Sequence, residues 1–552
     1  MSSFSRGADA PVRAEPPGSA LLRELPRKPA SLIAPIALFV AAAGLLWWLF
    51  GHRLILGTSD EGIYLDAAER ILHGQKLYVD FFGYMSPGSF WMQTLAFQLF
   101  GVTLAAGRVL VILYVALECA LIYWLVERFA SRGTAIVTAL LFLAFETADP
   151  AMLTAQHRWD SGAFALASIA ISVGSRRPWL MMGSGILIAC AALATPSVAL
   201  VAIVTVLWLR KRAGWYLLGI AIAGTAAVIA LWIDGTLAAF LAQMLWLSRN
   251  YSAVNFMPYG SIIGGWPSLF QDAGFGELPV RICIVVCLAL PAILPVVAVA
   301  GGAFYWFRHR DPVLPYLGLS ILALVISTHP RSDIAHLAYV AALAYAVAGI
   351  VAYRSLAARP RAWLAAFFGI WAATFAWQGR ATRNLTTLET PVGPVRADAS
   401  EAREISALLA RVGTQPSLFV YPYKPLLYFL TQAHNPTRYS YLSPGMMTPE
   451  DARLALSELQ ARPPAWILYQ DLDRSAFERL FPAAKGFDPH FPELESWLKA
   501  NYQPSGAKPV AGYVLLHRAP DSNPASGRPT VSATYRQNQN QVLMPVSKQP
   551  IN

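Results

Sequence analysis

The residues best placed to do chemistry lie between Ser59 and Trp91. Ser59-Asp60-Glu61-Gly62-Ile63-Tyr64-Leu65-Asp66 open this stretch, His73-Gly74-Gln75-Lys76-Leu77-Tyr78-Val79-Asp80 continue it, and Ser86-Pro87-Gly88-Ser89-Phe90-Trp91 close it. It begins shortly after the first long apolar run, which ends at Phe50. Carboxylates so close to hydrocarbon are costly and tend to mark functional positions. A carboxylate held at such a boundary can take the proton from a hydroxyl as that hydroxyl attacks an electrophile. Asp60 and Glu61 are the candidates for that role. The same residues also read as a helix start, with Ser59 or Asp60 as cap and Tyr64, Ala67, Ala68 and Ile71 facing inward. The two readings are compatible, because a base at a helix start is held by its own cap bonds.

The surrounding elements are mostly apolar. Of 552 residues, 56% are hydrophobic and 14% charged, against about 25% charged in an average soluble domain. Apolar segments recur, each long enough to cross a hydrocarbon core of about 30 Å. The expected architecture is a polytopic α-helical membrane protein with about eleven transmembrane helices, over 31–50, 104–127, 134–150, 161–175, 178–195, 197–210, 215–234, 280–307, 313–328, 333–353 and 361–378. Leu32 to Phe50 is too long for a signal-peptide core and is read as an uncleaved first helix, preceded by a disordered N-terminus over 1–30.

Basic clusters set the expected orientation. Arg23, Arg27 and Lys28 precede the first helix; Arg128 and Arg132, Arg176 and Arg177, Arg210–Arg212, Arg308 and Arg310, and Arg354, Arg359 and Arg361 follow the even-numbered ones. All fall on one side, which is then cytoplasmic; Arg53 alone conflicts. The net charge of +11 is explained by these loops and gives no reason to expect nucleic acid. The opposite face carries 51–103, the turn near Asp160, the loop 235–279, the turn near Arg331 and everything after 379. Gly88–Phe100 is expected to lie in the interface. Cys119, Cys190, Cys283 and Cys287 sit in apolar segments as packing residues.

Beyond Gly379 the composition becomes more polar. Residues 396–518 read as a small extracytoplasmic α/β domain, with a helix over 400–411, a strand at Leu418–Tyr421, helices near 424–431 and 449–461, and strands at Trp466–Tyr469 and 512–517. The tail 519–552 is Asn-, Gln-, Ser- and Pro-rich and expected to be disordered.

The order of features after the first helix carries a resemblance. An acidic pair, Asp60-Glu61, is followed by Tyr64, a helix, an extended segment, the Pro87 turn, a Trp91-bearing helix, Phe100-Gly101 and then Arg108. This resembles the first outer loop of the GT-C superfamily of membrane glycosyltransferases, especially its aminoarabinose-transferase and protein-mannosyltransferase branch. The resemblance implies a sugar donor on a polyprenyl phosphate, a lipid, glycan or protein acceptor, and Asp60 as the catalytic acid's counterpart with Glu61 beside it. One departure is clear: relatives in the aminoarabinose branch carry Lys-Pro-Pro before the Trp-bearing helix, where this chain has Met85-Ser86-Pro87, so the donor phosphate must meet other cations or the donor must differ.

Further substrate-binding candidates follow from that expectation. Arg331 lies in Thr328-His329-Pro330-Arg331-Ser332-Asp333-Ile334-Ala335-His336; a guanidinium suits a phosphodiester, while the same turn also reads as a membrane-edge turn with its own internal ion pair, with His336 as participant or cap. Asp160, in Gln156-His157-Arg158-Trp159-Asp160, is either an acceptor- or metal-orienting carboxylate or the cap of a helix starting at Ser161. Arg108 either binds phosphate or pairs with a loop carboxylate. Tyr64 is the aromatic of the same pattern. The aromatics of 235–279 and the run Tyr421-Pro422-Tyr423-Lys424-Pro425 suit sugar stacking or an acceptor groove, and equally a membrane belt or a plain loop. No cofactor is required; a divalent metal is possible. The expected reaction is inverting sugar transfer. A transporter or flippase, or an inactive lipid-linked-sugar scaffold, is the competing class, and the outer position of the acids speaks against a transporter.

Overall fold

The computed structural model describes residues 32–57, 60–146, 150–262, 270, 274–276, 278–355, 384–443 and 445–519. The segment 1–30, the crossing expected over 361–378 and the tail after 519 lie outside the described residues.

The first helix, α1 (Ile33–Phe50), leads into the outer segment with α2 (Asp60–Leu72) and α3 (Pro87–Phe100). The bundle continues through α4 (Leu104–Phe129), α5 (Arg132–Glu146), α6 (His157–Gly174), α7 (Pro178–Ala194), α8 (Leu200–Leu209) and α9 (Ala213–Asp234). It closes with α10 (Leu237–Asn255), α11 (Leu278–His309), α12 (Val313–Ser327), the short α13 (Ile334–Ala338) and α14 (Ala342–Ser355). Among the described residues, four stretches are long and apolar enough to cross a membrane: Ile33–Phe50, Leu104–Phe129, Pro196–Asp234 and Leu288–His309. Ile203, Leu207, Trp232 and Ile233 on them are more than half exposed, as side chains facing lipid should be.

Three differences from the sequence reading have local causes. The segment read as one crossing over 333–353 is broken at Tyr339-Val340-Ala341, where the Val340 and Ala341 amides bond three residues back. Gly162 of α6 presses on the break; a Cβ there would sit 2.3 Å from the Tyr339 carbonyl oxygen. The segment 235–279, read as a loop, contains α10, because left-handed Gly235 ends α9 and turns the chain straight into a second helix. The helix expected to start at Ser161 starts at His157, so Asp160 lies inside its first turn and is not its cap.

The C-terminal part opens with an antiparallel hairpin, β1 (Thr386–Thr390) and β2 (Gly393–Ala397), turned at Gly393 with φ +87°. Arg396 exchanges backbone hydrogen bonds with His52 and Leu54, at 2.7 and 2.8 Å, so the hairpin is stitched to the chain just after α1. Then follow α15 (Ala399–Val412), β3 (Leu418–Tyr421), α16 (Leu426–Thr431), α17 (Pro449–Ala461), β4 (Trp466–Tyr469), α18 (Arg474–Leu480), α19 (Pro492–Asn501), β5 (Tyr502–Pro504) and β6 (Val514–Arg518). The sheet order is β3-β4-β6-β5, with β3 parallel to β4 and the other pairs antiparallel. A parallel pair needs a crossover, supplied here by α16 and α17. One apolar cluster joins this sheet to the outer segment: Ile63, Tyr64, Phe81, Phe82 and Phe90 pack with Phe419, Tyr439, Tyr441, Leu459 and Ile467. The C-terminal sheet thus shares a core with the stretch that carries Asp60.

Candidate functional site

Asp60 and Glu61 are neighbours in sequence and part company in space. Successive helix residues point about 100° apart. Asp60, the first residue of α2, is exposed, whereas Glu61 is fully buried. Glu61 receives the Arg108 guanidinium on both oxygens, with Nη2 at 2.7 Å from Oε2, and the Ala155 amide donates to Oε1 at 3.2 Å. Arg108 spends its remaining nitrogen on the Phe50 carbonyl at 3.3 Å. Both side chains have no exposure. This pair fastens α2 to α4, to the end of α1 and to the turn before α6, and it engages all three nitrogens of Arg108.

Asp60 stands among tyrosines. The Tyr423 hydroxyl donates to Asp60 Oδ1. Tyr64, Tyr84, Tyr251, Tyr441, Lys424 and Arg331 all lie within electrostatic reach of the same carboxylate. Tyr84 stacks on Tyr251 with centroids 5.8 Å apart and meets Tyr441 edge-on at 5.8 Å; Tyr441 meets Tyr423 at 5.5 Å. The Tyr441 hydroxyl is buried and has no hydrogen-bond partner among the described residues. Lys424, also buried, is lowered to about 8 by desolvation, against the pull of Glu401 and Asp60.

Arg331 is held by Asp333 at 2.9 Å and by the Asn255 side chain at 3.2 Å, over the face of Phe481. His336 Nδ1 lies 2.8 Å from the other oxygen of Asp333, which also caps α13 through the His336 amide. The turn therefore has its own ion pair, and that pair aims Arg331 at the Asp60 side. Arg158 of α6 lies close enough to act on His336 and Tyr251. It is buried, and its Nε and Nη1 have no hydrogen-bond partner among the described residues.

Asp160 and Tyr64 face elsewhere. Asp160 is buried and accepts from Ser89 of α3 at 2.6 Å. Tyr64 stacks on Phe90 at 5.2 Å and turns its hydroxyl to the Met85 sulfur. Together with Gln93, Tyr114 and Gln156 they line a small inner pocket, in which Gln93 Nε2 and the Tyr114 hydroxyl have no partner among the described residues. The structure thus brings Asp60 within electrostatic reach of Arg331, with His336 on the other oxygen of Asp333. It sets Glu61 and Arg108 in a brace below and Asp160 with Tyr64 at the inner pocket.

Three further residues gather near Asp60 and Arg331: Arg158, to which the sequence assigns no role, and Tyr423 and Lys424, which it offers only as part of a run suited to an acceptor groove or a plain loop. The signal for Arg158 is a basic residue between His157 and Trp159 in an outer turn. For Tyr423 and Lys424 it is the Tyr-Pro-Tyr-Lys-Pro turn between a strand and a helix.

For a metal, the described residues offer one cluster with all ligand atoms within 4.8 Å: Asp471, His490 and Glu495. These belong to the C-terminal domain and already engage each other and Tyr421, with His490–Glu495 at 3.0 Å and Tyr421–Glu495 at 2.7 Å.

No family sequence model and no curated protein matches the chain. Solved structures do. ArnT from Cupriavidus metallidurans bound to undecaprenyl phosphate superposes with a TM-score of 0.53 at 15% identity, over 87% of this chain and 97% of that one. The same protein in the apo state gives 0.50 at 15% identity, over 88% and 98%. A looser likeness, TM-score 0.46 at 11% identity over 84% and 72%, is to the archaeal oligosaccharyltransferase AglB from Archaeoglobus fulgidus. The chain thus shares its fold with ArnT over most of its length.

Proposed function

We propose that this chain is a membrane glycosyltransferase that moves a sugar from a polyprenyl-phosphate donor to an acceptor hydroxyl. The reaction is placed on the extracytoplasmic side, with the N-terminus in the cytoplasm and the C-terminal domain outside. The observation that carries the reading is an exposed carboxylate, Asp60, within electrostatic reach of the guanidinium of Arg331. A base and an anion-binding cation within reach of each other are what transfer from a phosphodiester donor needs.

In this reading Asp60 accepts the proton of the acceptor hydroxyl as its oxygen bonds to the anomeric carbon. The bond from that carbon to the phosphate oxygen breaks, its electron pair stays with the phosphate, and the configuration inverts, with the acceptor standing where water stands in inverting hydrolysis. The departing lipid phosphate needs a cation more than an acid. Arg331 supplies one and Arg158, with free donors, a second; His336 holds the Arg331 turn through Asp333. Glu61 and Arg108 hold the start of α2 in place. Asp160 and Tyr64 line the inner pocket, where they orient the acceptor. The tyrosines around Asp60 suit the face of a sugar ring. ArnT was solved with undecaprenyl phosphate, which supports a donor lipid of that kind.

The test is transfer in proteoliposomes supplied with a panel of undecaprenyl-phosphate-linked sugars and a membrane-lipid extract, reading released undecaprenyl phosphate. Turnover by the wild type and its loss in a folded Asp60→Asn variant are expected. Full transfer by Asp60→Asn removes the base assignment, and movement of donor across the vesicle with no bond broken would make the chain a flippase.

A further inference from the structure

We propose that the C-terminal domain completes the catalytic site, with Tyr423 as the positioning residue of Asp60. The inference rests on Asp60 being the base, and adds a second domain to the machinery that makes it one.

Asp60 stands at the first position of α2, where a side chain has several rotamers open to it. A base must be held in one productive geometry. Among the described residues, none of α2 does this: the hydrogen bond that Asp60 Oδ1 receives comes from Tyr423, 363 residues away. That bond leaves Oδ2, to which no described group donates, for the proton of the acceptor. Tyr423 is fixed in turn. Its carbonyl accepts the Tyr513 hydroxyl at 2.7 Å, and its ring meets Tyr441 edge-on at 5.5 Å. Tyr513, Tyr423 and Asp60 thus form a relay of restraint from the sheet to the carboxylate.

Docking of the domain is specified beside the same carboxylate. A Cβ on Gly62 would lie 1.9 Å from the Leu426 amide nitrogen and 2.4 Å from the Pro425 carbonyl carbon. Only glycine lets the start of α16 close on the start of α2. One turn further along α2, Ser440 donates to Asp66 at 2.5 Å and Gln432 to Glu69 at 3.1 Å. The register between the two helices is therefore fixed at three levels, and Tyr423, immediately before the Lys424-Pro425 step into α16, arrives at Asp60 as a consequence. A phenol added only for packing would not need its hydroxyl aimed at the one exposed carboxylate of α2's first turn.

The experiment compares Tyr423→Phe, Tyr423→Leu and Tyr513→Phe in the full-length protein, using whichever undecaprenyl-phosphate sugar gives turnover. Phe keeps the ring and loses only the hydroxyl. Tyr423→Phe is expected to lower kcat about 10- to 100-fold with unchanged KM for the donor, unchanged affinity for undecaprenyl phosphate and an unchanged melting temperature. Tyr513→Phe is expected to lower kcat by less. If Tyr423→Phe keeps wild-type kcat while Tyr423→Leu loses it, the ring packs and the hydroxyl positions nothing, and the inference falls. Asp60→Asn, run alongside, separates the two levels. An inactive Asp60→Asn with a fully active Tyr423→Phe removes the inference and leaves the base; an active Asp60→Asn removes both.

Discussion

The Glu61 carboxylate and the Arg108 guanidinium form a two-point ion pair with no solvent exposure on either side, joined by the Ala155 amide and the Phe50 carbonyl. Breaking a buried pair from one side strands a charge and costs about 3–5 kcal/mol. Arg108→Met and Glu61→Gln are each expected to fall in that range, read as a lower melting temperature and lower yield of monodisperse protein in detergent. The double variant Glu61→Leu/Arg108→Met is expected to recover part of the loss. Recovery stays incomplete because the Ala155 amide and the Phe50 carbonyl each lose a partner, at about 1–3 kcal/mol. Single variants with wild-type melting would show that the pair braces nothing and would return Arg108 to the phosphate.

This pair also shows what a sequence can and cannot tell. The spacing of Asp60, Glu61 and Arg108 around an apolar helix marks a special region, because charges there need a reason. Which of two adjacent acids is buried depends on the angle at which α2 meets α4, and that angle is set by packing. The strands Leu418–Tyr421 and Trp466–Tyr469 were legible as short apolar runs between turns. The strand Tyr502–Pro504 was not: three residues ending in proline pair only because β6 already offers an edge. Tyr423 was visible as a turn residue, but its meeting with Asp60 is a tertiary fact that no local pattern encodes.

The contact between α2 and the C-terminal domain carries a pH dependence. Burial, reinforced by the charge of Asp66 and opposed by the Gln432 donor, raises Glu69 from 4.5 to about 7. Burial raises Asp66 as well, against Arg70 and Ser440. Between 4.5 and about 7 the folded state holds a proton on Glu69 that the unfolded chain has released. Stability from this group is therefore fully present below 4.5 and is lost as pH rises through about 7. Melting curves from pH 5 to pH 8 are expected to show the wild type losing stability toward pH 8. Glu69→Gln, which keeps a neutral polar group beside Gln432, is expected to flatten that slope. Identical slopes in the two proteins would place the titration elsewhere.

Arg158 is a buried guanidinium whose Nε and Nη1 have no partner among the described residues. A buried cation with idle donors is a stability cost unless a ligand anion meets it. Asp333 and Asn255 already occupy Arg331, so Arg158 is the cation with more to offer an incoming phosphate. Arg158→Met is expected to leave the melting temperature of the empty protein unchanged or raise it. The same variant is expected to weaken undecaprenyl phosphate binding about 10- to 100-fold, the range set by charged hydrogen bonds of about 1.5–3 kcal/mol. Native mass spectrometry or a ligand-induced thermal shift reads both quantities on one sample. A destabilised variant that binds the lipid phosphate as the wild type does would make Arg158 a packing residue and leave the donor to Arg331 alone.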